Sequence, residues 1–392
     1  MTAVYLQDMA WISALGRGRA AREALFAREP RGVATTDHYT PGRVLHLGRV
    51  GQALPSLDDQ PLIYRSRTNA LLAALLPDLR DAVETARARF GPHRIAVILG
   101  VSAAGLQEGT AAARHFREQG RWPAGYDYAQ QEMGNASAFL ARALGVTGPA
   151  YSISTACSSG AKALAAGARL LKAGIADAVV AGGVDALSGF TIAGFSALES
   201  VSAARCNPLS ANRHGINIGE GAGLFLMGRD AGPVRLAGWG ESSDAHHMSA
   251  PEPGGRGALV AMRQALERAQ LQPHEIDYVN LHGTATPQND AMESRAVAEL
   301  LGLEVPVSST KPLTGHTLAA AGAVEAAVCW HTLVDNASGR LPPHWWDGAR
   351  DPALPAVRVV APDETIGRAP RRVLSNSFAF GGSNACLVLE KE

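Results

Sequence analysis

Short apolar runs alternate with longer alanine-rich segments along most of this sequence. The runs have the length of buried strands, whereas segments such as 258–270 and 290–301 are long enough for helices. This alternation predicts an α/β protein whose sheets are largely buried. The predicted strands are 94–101, 150–155, 177–183, 223–228, 276–283, 305–309 and 385–390.

Two stretches of the chain follow the same plan of a strand, a turn and a helix of small residues. They are YSISTACSSGAKALAAGARLL (151–171) and PVSSTKPLTGHTLAAAGAVEAAV (306–328), and they suggest a duplicated half. Helices with alanine and glycine on every face are predicted to be buried and closely packed. We therefore expect the two helices to meet at the centre and to bring Cys157 and His316 into one pocket. The alternative, two core helices without a chemical role, stays open at this point.

Charge and cysteine content narrow the class of protein. The 392 residues carry 36 Lys+Arg and 36 Asp+Glu, a balance that argues against a nucleic-acid or anionic-membrane partner. The first residues lack a signal-peptide pattern, and no apolar run reaches the roughly 18 residues of a membrane span. The 4 cysteines are far apart, which predicts reduced thiols rather than disulfides or a zinc site. We expect a cytoplasmic protein with no membrane span.

Cys157 stands where a predicted strand gives way to a helix. A helix N-terminus presents unpaired N–H groups and the positive end of the helix dipole, so we expect a lowered thiol pKa. The small residues around the thiol leave room for a substrate. The alternative is a structural core cysteine, and that interpretation is adopted for Cys206, Cys329 and Cys386.

Two histidines occupy positions at which α/β proteins build sites. His282 ends a predicted strand in NLHGTATPQND, and His316 stands where the second small-residue helix begins. Lys311 is close enough in sequence to reach the same cavity. Glu325 is 9 residues from His316 and lies on the same face only if the helix starts late. The alternative for each histidine is a hydrogen-bonded core or surface residue.

Four motifs occur in register along the chain: TACSSG, HGTATPQND, STKPLTGHTLAAAGAVEA and NSFAFGGSNA. Together they closely resemble the β-ketoacyl-acyl-carrier-protein synthases of the type I/II condensing group. The phrases AGGVDALSGFTIAGFSALESVS and ANRHGINIGEGAG look like the branch that serves aryl polyene or similar specialised pathways. His214-Gly215-Ile216 stands where ordinary fatty-acid synthases usually have Asp-Gly-Phe, which weakens a housekeeping assignment.

The resemblance implies a thiolase-like α/β fold. This fold has five layers, α-β-α-β-α, built from two duplicated βαβαβαββ halves. We expect residues 1–230 to form the half with the nucleophile. Residues 231–392 are then expected to form the half with the histidines, the lysine and the gating loop.

The resemblance also implies an acyltransferase that performs a decarboxylative Claisen condensation. Cys157 matches the nucleophile that holds an acyl chain as a thioester, which a malonyl-carrier thioester then extends. His282 and His316 match the pair that donates hydrogen bonds to the malonyl thioester oxygen, where enolate charge develops. Lys311 matches the family lysine, and Glu325 its ion-pair partner. No metal or separate cofactor is expected, since substrates arrive on the phosphopantetheine arm of acyl carrier protein.

The remaining matched positions support binding and gating. Phe380 matches a mobile gate, Gly381 and Gly382 give its loop freedom, and Ala379 replaces a common glycine. The backbone N–H groups of Cys157 and Phe380 match a second oxyanion site. Thr284 and Thr286 match hydroxyls that bind the pantetheine arm, and Phe195 matches a residue of the acyl tunnel.

Partners follow from the same resemblance. Arg65 and Arg67 are candidates for docking an acidic acyl carrier protein, against the alternative of a solvated arginine pair. Family members are dimers, so we expect a homodimer or a heterodimer with a chain-length-factor-like subunit.

Other functions fit the sequence less well. A non-catalytic partner subunit lacks the nucleophile, and a biosynthetic thiolase needs a second cysteine in a C-terminal CxG motif. A cysteine hydrolase or a binding scaffold does not call for two histidines and a lysine. Housekeeping fatty-acid elongation remains the alternative to the aryl-polyene-type pathway.

Overall fold

The computed structural model describes residues 2–392. The strands are β1 Tyr5–Ser13, β2 Gly16–Arg17, β3 Ala34–Thr36, β4 Leu45–Leu47, β5 Ile95–Gly100, β6 Ala150–Ile153, β7 Ala178–Asp185, β8 Gly221–Gly228, β9 Val234–Ser243, β10 Tyr278–Asn280, β11 Val307–Ser308, β12 Arg372–Ala379 and β13 Ser383–Glu390. The α-helices are α1 Gly18–Leu25, α2 Arg67–Phe90, α3 Leu106–Gln119, α4 Asn135–Leu144, α5 Ser159–Lys172, α6 Gly189–Ala197, α7 Arg256–Ala269, α8 Pro287–Leu301, α9 Lys311–Thr314 and α10 Ala321–Leu333.

The long strands form two groups with the same topology. The first group has the spatial order β6-β5-β7-β8-β1, and the second has the order β11-β10-β12-β13-β9. If the strands of each group are numbered along the chain, both orders read 3-2-4-5-1. The parallel and antiparallel neighbours also correspond one to one. The duplication that the sequence predicted is therefore confirmed.

The two groups meet where β1 pairs briefly with β9, through Tyr5–Arg235 and Leu6–Val234. Helices α2 and α4 cover one outer face with a hydrophobic core of their own, and α7 and α8 cover the other. Helices α5 and α10 lie between the two groups, in the largest core cluster. The arrangement is the five-layered α-β-α-β-α fold that the resemblance implied.

Glycine and alanine let the two central helices touch. A Cβ atom on Gly160 would lie 2.8 Å from the backbone nitrogen of Ala323, and one on Gly322 would lie 2.6 Å from that of Ala161. Real Cβ atoms do not approach so closely, so larger side chains would separate the helices. The close crossing brings the N-terminal ends of α5 and α10, and the residues just before them, into one region.

The predicted strands agree with β5–β8, β10, β11 and β13 to within a few residues. The sequence analysis named no element at several long ones, among them β1, β9, α2, α3 and α4. In β1, Gln7 and Asp8 interrupt the apolar pattern, and in α2, Pro77 stands inside the helix. The predicted division at residue 230 falls in the turn between β8 and β9, and it stays a prediction. Within residues 2–392, no helix is both long and apolar enough to cross a membrane.

Candidate active site

Cys157 lies in the tight turn between β6 and α5. Ala156, before it, has a φ of 50°, a left-handed conformation that is uncommon outside glycine. Ser159 fixes the turn, because its Oγ accepts from Thr155 N–H at 2.8 Å and lies 2.6 Å from the carbonyl oxygen of Ala156. The thiol is buried, with 5% of the residue exposed. A strained turn held by hydrogen bonds is a common feature of functional sites.

Both predicted histidines face this thiol. The Nε2 atom of His316 lies 3.0 Å from Cys157 Sγ. One ring nitrogen of His282 lies close to both, so that Cys157 Sγ and one nitrogen of each histidine are within 4.8 Å of one another. The imidazole rings are nearly perpendicular, at 83°, with centroids 5.3 Å apart. The structure therefore brings together three side chains that are far apart in the chain.

His282 is held by contacts on both its backbone and its ring. The Glu293 carboxylate accepts from the backbone N–H groups of His282 and Gly283, at 2.8 and 2.7 Å. Lys311 Nζ lies 3.4 Å from His282 Nδ1 and also donates to the His282 carbonyl. An ammonium group can only donate, so Nδ1 accepts and the ring proton is on Nε2. His282 consequently presents an N–H donor to the pocket.

His316 is positioned through its backbone. Gly315, with a φ of 69°, turns the chain, and His316 N–H donates to the Asn217 carbonyl at 2.6 Å. Gly219 N–H in turn donates to the His316 carbonyl at 2.9 Å, and a Cβ atom on Gly219 would lie 2.5 Å from the Thr314 carbonyl oxygen. Among residues 2–392, His316 Nδ1 has no hydrogen-bond partner. Unlike His282, the ring of His316 is not locked in one tautomer.

Lys311 and Glu325 form a buried ion pair beside His282. Helix α10 begins only at Ala321, which is the late start that the sequence required for Glu325 to face the cavity. Burial is the main cause that raises the pKa of Glu325 to about 7, although Lys311 opposes it. The ammonium group thus stabilises Glu325 as a carboxylate and holds His282 in one tautomer.

Burial sets the protonation states of the reactive groups. It lowers the pKa of both His282 and His316 well below the usual 6.5, with Lys311 as the second cause, so both rings are neutral. It raises the pKa of the Cys157 thiol to about 12. The prediction of a lowered thiol pKa is therefore wrong. Desolvation outweighs the opposing effects of Lys311 and of a hydrogen bond from the Phe380 backbone N–H.

Two cavities meet at the thiol. One is lined by both histidines and by the polar groups of Thr284 and Thr286, whose hydroxyl oxygens are 2.9 Å apart. The other is mainly apolar and runs along α6. Cys157, Phe195 and Phe380 line both cavities, and the two phenyl rings are 5.6 Å apart. The predicted gate and tunnel residues therefore lie at the boundary between the cavities.

The gate candidate Phe380 belongs to a three-residue turn between β12 and β13. Gly381 and Gly382 adopt φ values of 81° and 72°, which favour glycine. Asp244 N–H donates to the Gly382 carbonyl, and Gly381 N–H donates to the Met248 carbonyl, both at 2.8 Å. Two glycines in succession give the backbone of this turn conformational freedom that other residues lack.

The donor types of Cys157, His282 and His316 are also those of a zinc site. The charge around them disfavours this use, because Lys311 Nζ stands 3.4 Å from the His282 ring and would repel a cation. No resident metal or cofactor is needed to account for the arrangement.

The two arginines proposed for carrier docking differ in their surroundings. Arg67 is half-buried and forms a bidentate ion pair with the fully buried Glu220. Because this ion pair engages the Arg67 charge within the chain, docking by Arg67 stays a prediction beside a structural role. Glu220 directly follows residues 217–219, whose backbone is hydrogen-bonded to that of His316. By binding Glu220, Arg67 helps to fix this segment. Arg65 is exposed and stays a docking prediction.

Two buried acids were missed by the sequence analysis. Glu293 holds the backbone of His282, and burial raises its pKa to about 7. Asp185 accepts from the backbone N–H groups of Ser102, Ala103 and Ala319, and burial raises its pKa to about 6. Asp185 thereby joins β7 to the segment that precedes α10. An acid that ends an apolar strand, as in VVAGGVD, was the available signal for Asp185.

Comparison with known proteins identifies the family of the chain. The family model for the N-terminal domain of β-ketoacyl synthases matches residues 60–231, and that for the C-terminal domain matches residues 234–344. The chain belongs to the β-ketoacyl synthase family. A 3-oxoacyl-[acyl-carrier-protein] synthase 2 from Synechocystis is 34% identical over 65% of this chain and 65% of its own length. The 3-oxoacyl-[acyl-carrier-protein] synthase 2 of Rhizobium meliloti is 37% identical over 62% of this chain and 61% of its own length. These alignments span a little less than two thirds of the relatives' length.

A chain of one solved structure aligns over the whole length of this protein. The structure is a complex of the ketosynthase ApeO with its chain length factor ApeC from Xenorhabdus doucetiae. The match has a TM-score of 0.95 and 42% identity, and it covers 100% of this chain and 98% of the other. The thiolase-like fold and the membership of the condensing-enzyme family are thus confirmed.

Proposed function

We propose that this chain is a β-ketoacyl-acyl-carrier-protein synthase that extends an acyl chain by decarboxylative condensation with a malonyl-carrier thioester. The observation that carries the proposal is the buried contact of 3.0 Å between Cys157 Sγ and His316 Nε2, with His282 beside it. Family membership supports the same reaction. The individual roles of the site residues are part of this proposal.

In the first step, the Cys157 sulfur attacks the acyl thioester while its proton moves to His316 Nε2. The raised thiol pKa makes this transfer part of the attack rather than a prior ionisation. The carrier thiol leaves and takes the proton, which restores neutral His316. The N–H groups of Phe380 and Cys157 stabilise the oxyanion that forms on the acyl carbonyl.

In the second step, the malonyl thioester loses CO₂, and the electron pair of the broken C–C bond forms an enolate. Nε2–H groups of His282 and His316 donate to the enolate oxygen. His316 must accept a proton in one step and donate a hydrogen bond in the next, which its unlocked tautomer allows. The enolate carbon then attacks the acyl thioester of Cys157, and the C–S bond breaks to release the Cys157 thiolate. The thiolate takes up one proton from solvent, because decarboxylation supplies none.

The substrates would reach the site on acyl carrier protein through the cavity lined by Thr284 and Thr286, with Phe195 along the acyl path. We propose an aryl-polyene-type pathway, supported by the 42% identity to the ApeO–ApeC complex over the full chain. Ile216 lines the pocket, within the motif that departs from fatty-acid synthases. The chain would act as a homodimer or with a chain-length-factor-like subunit, in the reducing cytoplasm that keeps Cys157 as a thiol.

Housekeeping fatty-acid elongation is the second candidate, favoured by the curated relatives at 34% and 37% identity. A panel of saturated and polyenoyl starters on carrier protein separates the two pathways. Conversion of the polyenoyl starters at a higher kcat/KM supports the aryl-polyene type, and a preference for saturated starters supports the second candidate.

Malonyl-carrier protein labelled with ¹³C in its free carboxylate tests the reaction itself. The proposal expects one labelled CO₂ for each acyl chain that grows by two carbons. Release of the free acid from the acyl-carrier thioester, with no chain growth, would instead indicate a cysteine hydrolase.

A further inference from the structure

A half-buried lysine lies beside the base of the gate turn. Lys162 is on α5, and its Nζ donates to Ser383 Oγ at 2.6 Å. Ser383 is the first residue of β13 and directly follows the turn Phe380–Gly382. Lys162 therefore connects the helix that starts beside the nucleophile to the segment that carries the gate.

The connection includes the turn of the nucleophile itself. Ser158 Oγ lies 3.1 Å from Ser383 Oγ and donates to the Thr155 carbonyl at 2.9 Å. Thr155 and Ser158 flank Cys157 at close range in the chain. One hydrogen-bonded cluster thus joins the turn that carries the Cys157 thiol to the start of β13, which follows Phe380.

The charge of Lys162 is costly at this position. Among residues 2–392, Lys162 forms no ion pair, and Arg169 is the charged group that acts on it. Burial and the like charge of Arg169 both lower the pKa of Lys162. A partly desolvated ammonium without a carboxylate partner does not stabilise a fold. Within the described part of the chain, residues 2–392, the hydrogen bond to Ser383 is the one favourable polar interaction that the side chain makes.

We propose that Lys162 is a positioning residue for the condensation. It holds Ser383, and through Ser383 it holds the Phe380 N–H at hydrogen-bonding distance from Cys157. This inference rests on the proposed function, because it gives the Phe380 N–H the role of oxyanion donor to the acyl thioester. Lys162 then affects acyl transfer and condensation, both of which develop charge on the acyl carbonyl. Decarboxylation depends on His282 and His316, so Lys162 leaves it unchanged.

The test compares Lys162→Met with the matched variant Lys172→Met. Lys172 lies at the other end of the same helix, over the ring of Trp239. Transfer of an acyl chain from carrier protein to Cys157 is followed by intact mass. Decarboxylation of malonyl-carrier protein in the absence of an acyl donor is followed by CO₂ release. Thermal unfolding is measured for every variant.

We expect Lys162→Met to slow acyl transfer about tenfold, since a displaced oxyanion donor loses much of its effect. Decarboxylation should keep its wild-type rate, and the melting temperature should stay the same or rise. Lys162→Arg should recover part of the loss, because a guanidinium also donates to Ser383. Ser383→Ala should reproduce the loss without adding to that of Lys162→Met. Lys172→Met should behave as the wild type.

Three results would overturn the inference. They are a wild-type rate of acyl transfer in Lys162→Met, an equal fall of both rates, and an equal effect of Lys172→Met. An equal fall would indicate docking of the carrier or general loss of structure. Failure of the wild-type protein to decarboxylate malonyl-carrier protein would instead count against the proposed function.

Discussion

The two halves of the molecule have the same strand order but use the residues before their central helices differently. In the N-terminal half, the turn before α5 presents one uncharged thiol among small residues, held by the Ser159 hydroxyl. In the C-terminal half, the corresponding region before α10 carries His316 and Lys311; Glu325, the partner of Lys311, lies in α10, and His282 joins them from the end of β10. The shared strand order supplies the framework, and the polar residues of the C-terminal half supply the charge. The nucleophile and the groups that stabilise negative charge thereby face each other across the central layer.

The largest expected effect comes from removing the reactive group of the N-terminal half. Cys157→Ala should abolish condensation, because no thioester can form. The fold should lose only about 1 kcal/mol, since a small side chain is deleted. Decarboxylation should persist, because the histidines remain. Product analysis, CO₂ release and denaturant unfolding of the same sample check the three statements, and chain growth by this variant would contradict the role of Cys157.

The next effect concerns the histidines of the C-terminal half. His282→Ala and His316→Ala should each slow decarboxylation by about 10²–10³, the usual effect of losing one oxyanion donor. Acyl transfer to Cys157 should fall more in His316→Ala, because of the two histidines it is His316 whose Nε2 lies at hydrogen-bonding distance from the sulfur, at 3.0 Å. The exposed His93→Ala serves as the control. Equal effects of the two substitutions on acyl transfer would show that His316 does not accept the thiol proton.

The buried ion pair tests whether charge in the C-terminal half serves stability or chemistry. Lys311→Met leaves Glu325 without a partner and should lower the free energy of unfolding by about 3–5 kcal/mol. The double variant Lys311→Met, Glu325→Leu should recover most of that loss but remain slow in decarboxylation, since His282 loses its fixed tautomer. Urea unfolding and CO₂ release measure the two quantities. If the double variant recovered both the free energy of unfolding and the decarboxylation rate, the ion pair would have only a structural role.

The smallest expected change is one of pH dependence. Because burial lowers the pKa of His282 and His316 well below 6.5, both imidazoles stay neutral as the pH falls through 6.5. The decarboxylation rate should therefore show no loss centred at the ordinary histidine pKa of about 6.5. A pH–rate profile with saturating malonyl-carrier protein checks this. Glu293 and Glu325, whose pKa values burial raises to about 7, are separated by the profiles of Glu293→Gln and Glu325→Gln. A halving of the rate near the ordinary histidine pKa of about 6.5 that persists in both variants would contradict neutral, buried donors.

Sequence patterns were sufficient for the framework. Short apolar strands and small-residue helices predicted the α/β class and the duplication, and Cys157, His282 and His316 converge as predicted. Glu293 and Asp185 were missed because an acid in a helix, or at the end of a strand, usually faces solvent. Here the burial of each carboxylate is compensated by backbone N–H donors that only the folded chain brings together.

The direction of the thiol pKa shift and the ion pair of Arg67 were missed for a related reason. The sequence shows the end of a helix beside Cys157 but not the depth of the thiol, and that depth decides the direction of the pKa shift. The sequence likewise shows Arg67 as a charge near Arg65, but not Glu220, which is 153 residues away in the chain and binds it. Properties that depend on desolvation or on distant partners require coordinates.

Peptide mapping after incubation with an acyl-carrier thioester tests the central claim most directly. The account predicts one acyl group, on the peptide that contains Cys157, with the three other buried cysteines unmodified. An acyl group on Cys206, Cys329 or Cys386 instead, or no covalent acyl group while the chain still grows, would contradict it.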